Sequence, residues 1–208
     1  GRGISHSENS TPATTVLHGA QLWVALPDAA RDTDPGFEHY APDAVRGPGY
    51  EARVFLGSLF GSASPVRTHT PLLGAELVLA PGADLEVPVP ADHELGVLLD
   101  TGSVSVEGTP LQPAELGYLA PGRSVLRLRS GSDGARLLLL GGPPFGEEIV
   151  MFWNFIGRDH DEIVGYRDAW QEQVAGGRDA PGRFGVVAGD QERIPAPELP
   201  NVRLRRRS

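Results

Sequence analysis

Seven short apolar segments follow one another between Ala75 and Leu140, at intervals of about ten residues, which is the spacing of strands in a compact antiparallel domain. Turn-forming sequences rich in Gly, Pro, Asp and Ser separate them. The chain of 208 residues contains 27 Gly and 19 Pro, which favours many tight turns over helical bundles. The pattern predicts a complete all-β domain, a sandwich or small barrel, with strands at Ala75–Ala80, Leu85–Val89, Leu95–Leu99, Val104–Glu107, Leu116–Leu119, Val125–Arg129 and Ala135–Leu140.

The first part of the chain is predicted to contain two further strands. Residues 16–26 place Leu22 and Val24 on one face and Trp23 on the other, and both faces are largely apolar. We therefore expect this strand to be buried on both sides. The second strand is predicted at Ala52–Phe60. Two strands are too few to close a barrel.

The last part of the chain is predicted to form a strand, a helix and an extended arm. The strand is the apolar segment Glu148–Phe155, which is too aromatic to be left in water. Asp159 and Glu162 have the spacing of a capping box, and apolar residues then recur at helical intervals until Gly176. The alternating Pro and Ala of residues 181–208 predict an arm that lies over the surface.

Composition excludes several classes of function. All 18 basic residues are Arg, so the chain has no Lys for a Schiff base or a Walker A motif. It has no Cys, which fits a reducing compartment, and we expect a cytoplasmic location. The formal net charge of −9 argues against direct binding to nucleic acid or to an anionic membrane, and no apolar segment approaches the length of a membrane span. The basic run at residues 203–207 is interpreted as a solvated tail.

His6 and Glu8 form a candidate pair of metal ligands near the start of the chain. Side chains two positions apart share one face of an extended segment. An imidazole with a carboxylate suits iron, manganese, zinc or nickel, but a stable site needs three or four protein ligands. The pair therefore predicts half of a metal site.

Three stretches of the sequence resemble the pirin family. They are Gly-Arg-Gly-Ile-Ser-His-Ser-Glu at residues 1–8, Leu-His-Gly-Ala-Gln-Leu-Trp-Val at residues 17–24, and Glu-Glu-Ile-Val-Met-Phe-Trp-Asn-Phe-Ile-Gly-Arg at residues 147–158. They occur in the family's order and span essentially the whole chain. Pirins are bicupins, with two β-barrels and one metal, usually iron, in the N-terminal barrel.

The resemblance implies an all-β bicupin whose N-terminal barrel is incomplete in this chain. Residues 1–71 are expected to be the C-terminal part of that barrel and a linker, residues 72–158 the C-terminal cupin barrel, and residues 159–208 a short helix and an arm. His6 and Glu8 then match two metal ligands, and the remaining His ligands lie upstream of residue 1. The expected cofactor is one divalent transition metal, with Fe(II) favoured.

The other histidines are weaker candidates for function. Asp92-His93-Glu94-Leu95 lies where a cupin would place a His-x-His pair, but Leu95 replaces the second His. We therefore interpret His93 as a surface or capping residue and expect no metal in the second barrel. His160 is interpreted as solvated. Gln21, Trp23 and His18 are candidates for lining a pocket, with core packing or a structural hydrogen bond as the alternative for each.

Two functions from different classes follow from the resemblance. The first is dioxygenase activity on a small aromatic, flavonol-like substrate such as quercetin, with Glu8 as the catalytic base that accepts the substrate's proton. The second is a regulatory protein whose metal oxidation state alters its affinity for a transcription factor or a metabolic enzyme. We expect activity in the intact protein and none in this chain alone.

Overall fold

A computed structural model describes residues 1–13, 15–189 and 191–207, which form two compact units. One unit comprises residues 1–36 and 146–208, the other residues 37–145. No helix among the described residues is long and apolar enough to cross a membrane. The elements are a 3-10 turn at Asp28–Ala30, strands β1 (Val45–Gly47), β2 (Tyr50–Leu56), β3 (Ser58–Leu59), β4 (Ser62–Ala63), β5 (Leu73–Leu79), β6 (Asp84–Pro88), β7 (Glu94–Val106), β8 (Thr109–Leu111), β9 (Leu116–Leu119), β10 (Val125–Gly142), β11 (Val150–Phe152) and β12 (Phe155–Gly157), and helix α1 (His160–Ala175).

An antiparallel sheet of eight strands forms the unit of residues 37–145. Its strand order is β1-β2-β5-β10-β7-β8, and β6 and β9 pair with β10 and β7 respectively. Strand β10 lies between β5 and β7, so that Leu137 is opposite Leu77 on one side and Leu99 on the other. The predicted domain boundary at residue 71 falls inside this unit, and the assignment of residues 1–71 to an N-terminal barrel stays a prediction.

The core of this unit comes from one face of each strand. Leu137 and Leu139 of β10 are fully buried, whereas Leu138 between them is half-buried. Such alternation is expected when side chains point to opposite faces of a sheet in turn. The strands predicted in this region therefore supply most of the core, and the buried cluster is Ala52, Val54, Leu59, Leu73, Ala75, Leu77, Leu79, Leu85, Val87, Val89, Leu95, Val97, Leu99, Val104, Val106, Leu126, Leu128, Ala135, Leu137 and Leu139.

Two predicted turns were wrong, because each lies inside one long strand. The segments predicted at Leu95–Leu99 and Val104–Glu107 belong to β7, and those at Val125–Arg129 and Ala135–Leu140 belong to β10. The register of β7 and β10 shifts between Ser130 and Ala135. Gly102 and Gly134 take φ values of +81° and +74° at this irregularity, a conformation open to glycine at little cost. The glycines thus bend two continuous strands instead of ending them.

The unit of residues 1–36 and 146–208 contains a hairpin and the helix. The single strand predicted at Glu148–Phe155 is instead the hairpin of β11 and β12. Trp153 occupies its turn with a φ of 48°, so the chain reverses within the aromatic segment. Helix α1 confirms the predicted helix: the Asp159 side chain caps it by accepting from the Glu162 backbone N–H. Val150, Phe155, Ile163, Phe184 and Ala196 form the buried cluster of this unit.

The strand predicted at residues 16–26 is absent. These residues form no strand, and Leu17 and Trp23 are 90% and 43% exposed. An extended segment becomes a strand only when a neighbouring backbone hydrogen-bonds to it. No such pairing partner lies beside it among the described residues, so its apolar faces stay in water.

The C-terminal arm is attached to its unit at several points, although most of its residues are exposed. Arg207 forms an antiparallel bridge with Ile149, and Arg203 pairs with Asp161 at 2.9 Å. The basic side chains of residues 203–207 are exposed, as expected of a solvated run, but the backbone of this run is paired at Arg207. His160 departs from its prediction, because its Nδ1 accepts a hydrogen bond from the Leu204 backbone N–H at 3.1 Å. This imidazole holds the arm against the first turn of the helix.

Candidate functional site

The candidate metal ligands His6 and Glu8 lie side by side. His6 Nε2 is 3.8 Å from Glu8 Oε1, and both side chains are mostly exposed. Gln21 Nε2 donates a hydrogen bond to the same Glu8 oxygen at 3.0 Å. One imidazole, one carboxylate and one amide thus meet at a single exposed position.

The donor types fit two positions in the coordination shell of a first-row metal. A nitrogen and an oxygen atom 3.8 Å apart require only small side-chain rotations to contact one ion. Over residues 1–13, 15–189 and 191–207, however, no three His, Asp or Glu side chains are grouped closely enough to hold a metal. His6 and Glu8 therefore fit part of a site and do not complete one.

The two other pocket candidates lie near this segment in sequence and are exposed. His18 and Trp23 belong to the stretch of residues 16–26, which forms no strand. Neither lines the open cleft of about 270 Å³ in the same unit, which is formed by Asp28, Glu147, Glu148, Arg158 and Arg206. Their role in a pocket stays a prediction.

Arg158 is a residue that sequence reasoning missed. Its side chain is only 15% exposed and contacts Asp28 Oδ1 at 2.7 Å and Glu147 Oε2 at 2.6 Å. It also donates to the Leu26 carbonyl oxygen at 2.7 Å. Arg158 therefore joins residues 26–28 to the segment that precedes the hairpin. The aromatic run before it signals burial, but no sequence spacing points to partners 130 residues away.

Glu162 forms a second junction of the same kind. Arg31 Nη2 donates to Glu162 Oε2 at 2.6 Å, and the Arg158 backbone N–H donates to the same oxygen at 2.7 Å. Burial by itself raises the pKa of Glu162, but these hydrogen bonds outweigh it, and the net pKa lies below its ordinary value. The hydrogen bond to Glu162 in turn raises the pKa of the Arg31 guanidinium.

Replacing Glu162 by Gln is expected to destabilise the protein by about 1–2 kcal/mol at pH 7, because the charged hydrogen bond to Arg31 is lost. A carboxyl group with a lowered pKa stabilises the fold above its ordinary pKa, about 4.3, and loses this effect as the pH falls through its value in the folded protein. The difference between wild type and Glu162→Gln should therefore shrink as the pH is lowered below about 4.

Urea denaturation at pH 7 and pH 3 measures this difference. Glu198→Gln is the matched control, because Glu198 is exposed on the arm and should show little change at either pH. A difference for Glu162→Gln that is unchanged at pH 3 would contradict the expected role of the ionised carboxylate.

His93 was wrongly predicted at the surface. It is 7% exposed, and its ring Nδ1 lies 3.0 Å from Asp92 Oδ1. His93 lies in the tight turn between β6 and β7, where its backbone N–H donates to the Pro90 carbonyl oxygen at 3.1 Å. An imidazole whose neighbour supplies a carboxylate can be buried without a metal.

Comparison with known proteins shows the family to which this chain belongs. The sequence profile of the pirin C-terminal cupin domain matches residues 74–176. A Pseudomonas aeruginosa protein, provisionally named a quercetin 2,3-dioxygenase, is 40% identical over 203 residues, which are 96% of this chain and 62% of that protein. The chain belongs to the pirin family. Human pirin is a more distant relative, 27% identical over 173 residues, 78% of this chain and 58% of its own.

Solved structures confirm the cupin fold of this pirin. The crystal structure of quercetin 2,3-dioxygenase from Acinetobacter baumannii superimposes with a TM-score of 0.75 at 33% sequence identity. The match covers 88% of this chain and 59% of that one. This pirin thus spans about three fifths of the length of the first curated relatives that it matches.

Proposed function

We propose that this pirin chain forms part of a metal-dependent dioxygenase that acts on flavonol-type substrates such as quercetin. The identity of 40% to a relative provisionally named a quercetin 2,3-dioxygenase carries the proposal. The match to the Acinetobacter baumannii enzyme over 88% of this chain supports it independently at the level of structure. The cytoplasmic location stays a prediction.

His6 and Glu8 are proposed as two ligands of the metal, with Fe(II) the favoured ion. Their donor types and their separation of 3.8 Å support the assignment. No third His, Asp or Glu joins the pair among the described residues, so other groups must supply the remaining ligands. When bound, such an ion activates a substrate oxygen and supports reaction with dioxygen.

Glu8 is also proposed as the base that accepts the proton of the substrate hydroxyl. Its carboxylate is exposed and accepts a hydrogen bond from Gln21 at 3.0 Å, which orients it. A base must lie within hydrogen-bonding distance of the proton that it removes, and an exposed carboxylate can be reached by a planar phenolic substrate. Trp23 and His18 are proposed to line the side of the substrate pocket formed by this part of the chain.

The metal assignment predicts a loss of metal from the full-length protein when its ligands are removed. His6→Ala and Glu8→Gln should each lower the iron content and abolish turnover of quercetin, because a three- or four-ligand site does not retain its ion well after losing one donor. His39→Ala is the matched control, since His39 is exposed in the other unit. Elemental analysis gives the metal content, and loss of quercetin absorbance with release of carbon monoxide gives the activity.

The same measurements separate the enzyme from the regulatory protein. A full-length protein that holds iron through His6 and Glu8 but does not turn over quercetin would reject the dioxygenase proposal. It would favour the metal-dependent regulator, for which ferrous and ferric forms must differ in their affinity for a protein partner. Unchanged iron content in both His6→Ala and Glu8→Gln would reject the metal assignment itself.

A further inference from the structure

The loop of residues 177–185, which follows helix α1, contacts the segment that carries His6 and Glu8. The Phe184 carbonyl oxygen accepts hydrogen bonds from both the backbone N–H and the Oγ of Ser5, at 2.8 and 2.9 Å. Ser5 directly precedes His6. One carbonyl group of the loop therefore fixes the backbone on the N-terminal side of the candidate ligand.

The Phe184 ring contacts the same segment at Gly3. This glycine has a φ of +127°, and a Cβ atom placed on it would lie 2.9 Å from Phe184 Cδ1. The ring itself is 9% exposed and packs against Trp170 and Phe155, with ring centroids 5.4 and 5.9 Å apart. Phe184 is thus a fixed surface against which residues 3–5 lie.

Gln173 holds Phe184 in place from helix α1. Its side chain is 4% exposed, and its Oε1 accepts from the Phe184 backbone N–H at 3.0 Å. Its Nε2 donates to the carbonyl oxygens of Ala180 and Gly185 at 3.2 and 3.3 Å. A buried amide with three such bonds leaves the loop few alternative conformations, because each lost bond would leave a buried polar group unpaired.

Arg193 holds the same loop from the C-terminal arm. Its guanidinium donates to the carbonyl oxygens of Gly177 at 2.6 Å and of Ala180 and Gly185 at 3.1 Å each. Both carbonyl groups bound by Gln173 are therefore bound by Arg193 as well. The loop is fixed from two directions by charged and neutral donors.

The N-terminal segment has no regular structure of its own. Residues 1–9 form neither helix nor strand, and the His6 and Glu8 side chains are exposed. A ligand pair keeps its geometry only when its backbone is held by other groups. Phe184 restrains this backbone through its ring at Gly3 and through its carbonyl oxygen at Ser5.

We infer that Gln173 and Arg193 are positioning residues for the His6–Glu8 pair, and that they act through the 177–185 loop and Ser5. The contacts above support the path from Gln173 and Arg193 to Ser5. An effect of this path on metal binding rests on the proposed function. Neither side chain touches the pair. Their effect passes from the loop through Phe184 to the Ser5 backbone.

Hydrogen exchange at the Ser5 amide in the full-length protein tests the geometry without any metal. Gln173→Met, which keeps the size of the side chain and removes its hydrogen bonds, should speed exchange by about five- to tenfold, the factor that one ordinary hydrogen bond provides. Gln171→Met is the matched control. Gln171 lies on the same helix and also holds the arm, but through the Ala196 backbone N–H at 2.8 Å. Equal exchange rates at Ser5 in the two variants would overturn the inference.

Binding of Co(II) to the full-length protein tests the consequence. Ser5→Ala should weaken Co(II) binding by about tenfold and alter the visible spectrum of the bound ion, because one of the two hydrogen bonds that tie the residue before His6 to the Phe184 carbonyl oxygen is lost. Ser5→Thr retains the hydroxyl group and should restore both properties. Ser7→Ala, on the other side of His6, should leave them unchanged.

The two tests separate this inference from the proposed function. Wild-type affinity and an unchanged spectrum in Ser5→Ala would overturn the positioning role while the metal assignment stood. A wild-type protein that binds Co(II) no better than His6→Ala would reject the metal assignment, and the exchange rate of the Ser5 amide would still decide the positioning role.

Discussion

Replacing Leu137 by Ala is expected to lower the free energy of unfolding by about 3–4 kcal/mol. Leu137 is fully buried and lies in β10, which pairs with β5 on one side and β7 on the other. Truncation removes apolar contacts on both sides and leaves a cavity that rigid paired strands cannot collapse to fill. Urea denaturation followed by far-ultraviolet circular dichroism measures the loss.

Leu138→Ala is the matched control for this prediction. Leu138 is the next residue of the same strand, points to the opposite face and is half-buried. We expect a loss of about 1 kcal/mol, since less apolar area leaves contact with the protein and water fills the space. Equal losses in the two variants would contradict the assignment of the core to one face of β10.

Replacing Arg158 by Met is expected to lower the free energy of unfolding by about 2–3 kcal/mol. The methionine keeps much of the apolar stem but removes the guanidinium donor of the Leu26 carbonyl oxygen and of the Glu147 carboxylate, which then keeps the Asp28 backbone N–H as a donor. The Glu147 side chain is 29% exposed, so water replaces the guanidinium only in part. Asp28 is 65% exposed, which keeps the expected loss below that of a fully buried pair. Denaturation followed by tryptophan fluorescence measures this loss of stability. Trp153 and Trp170 pack against the buried cluster of the unit that contains Arg158, residues 1–36 and 146–208.

Arg206→Met is the control for Arg158→Met. Arg206 lines the same cleft and pairs with Glu148 at 3.4 Å, but both side chains are more than half exposed. An exposed pair contributes little, so we expect a change of less than about 0.5 kcal/mol. A loss for Arg206→Met as large as that for Arg158→Met would contradict the prediction. It would show that the burial of Arg158 does not explain the size of its effect.

Local patterns predicted the elements whose structure depends on neighbours in sequence. Helix α1 begins after Asp159 and ends near Gly176 as predicted, because a cap and a helical apolar spacing act within a few residues. Strand β9 has the predicted bounds, Leu116–Leu119. The turn residues were less reliable, since Gly102 and Gly134 serve equally well in a turn and in a bend of a long strand.

The candidate site was predicted from the sequence only in part. The sequence brought His6 and Glu8 together because they are two residues apart, and Gln21 joins them in the structure. The residues that hold this segment could not be predicted, because Ser5 and Phe184 are 179 positions apart and meet through a backbone carbonyl group. The strand prediction for residues 16–26 was wrong for a related reason. Their alternation is that of a strand, but a strand also needs a neighbouring backbone to pair with, which the sequence pattern does not reveal.

The sequence by itself determined the all-β class, the capped helix, the strand segments between Ala75 and Leu140 and the pairing of an imidazole with a carboxylate at residues 6 and 8. These follow from periodicity and from interactions between near neighbours. Only the tertiary structure decided the continuity of β7 and β10, the burial of His93, the junction at Arg158 and the support of Ser5 by Phe184. Each of these depends on groups far apart in the chain, whose approach is set by the packing of the whole unit and leaves no local pattern.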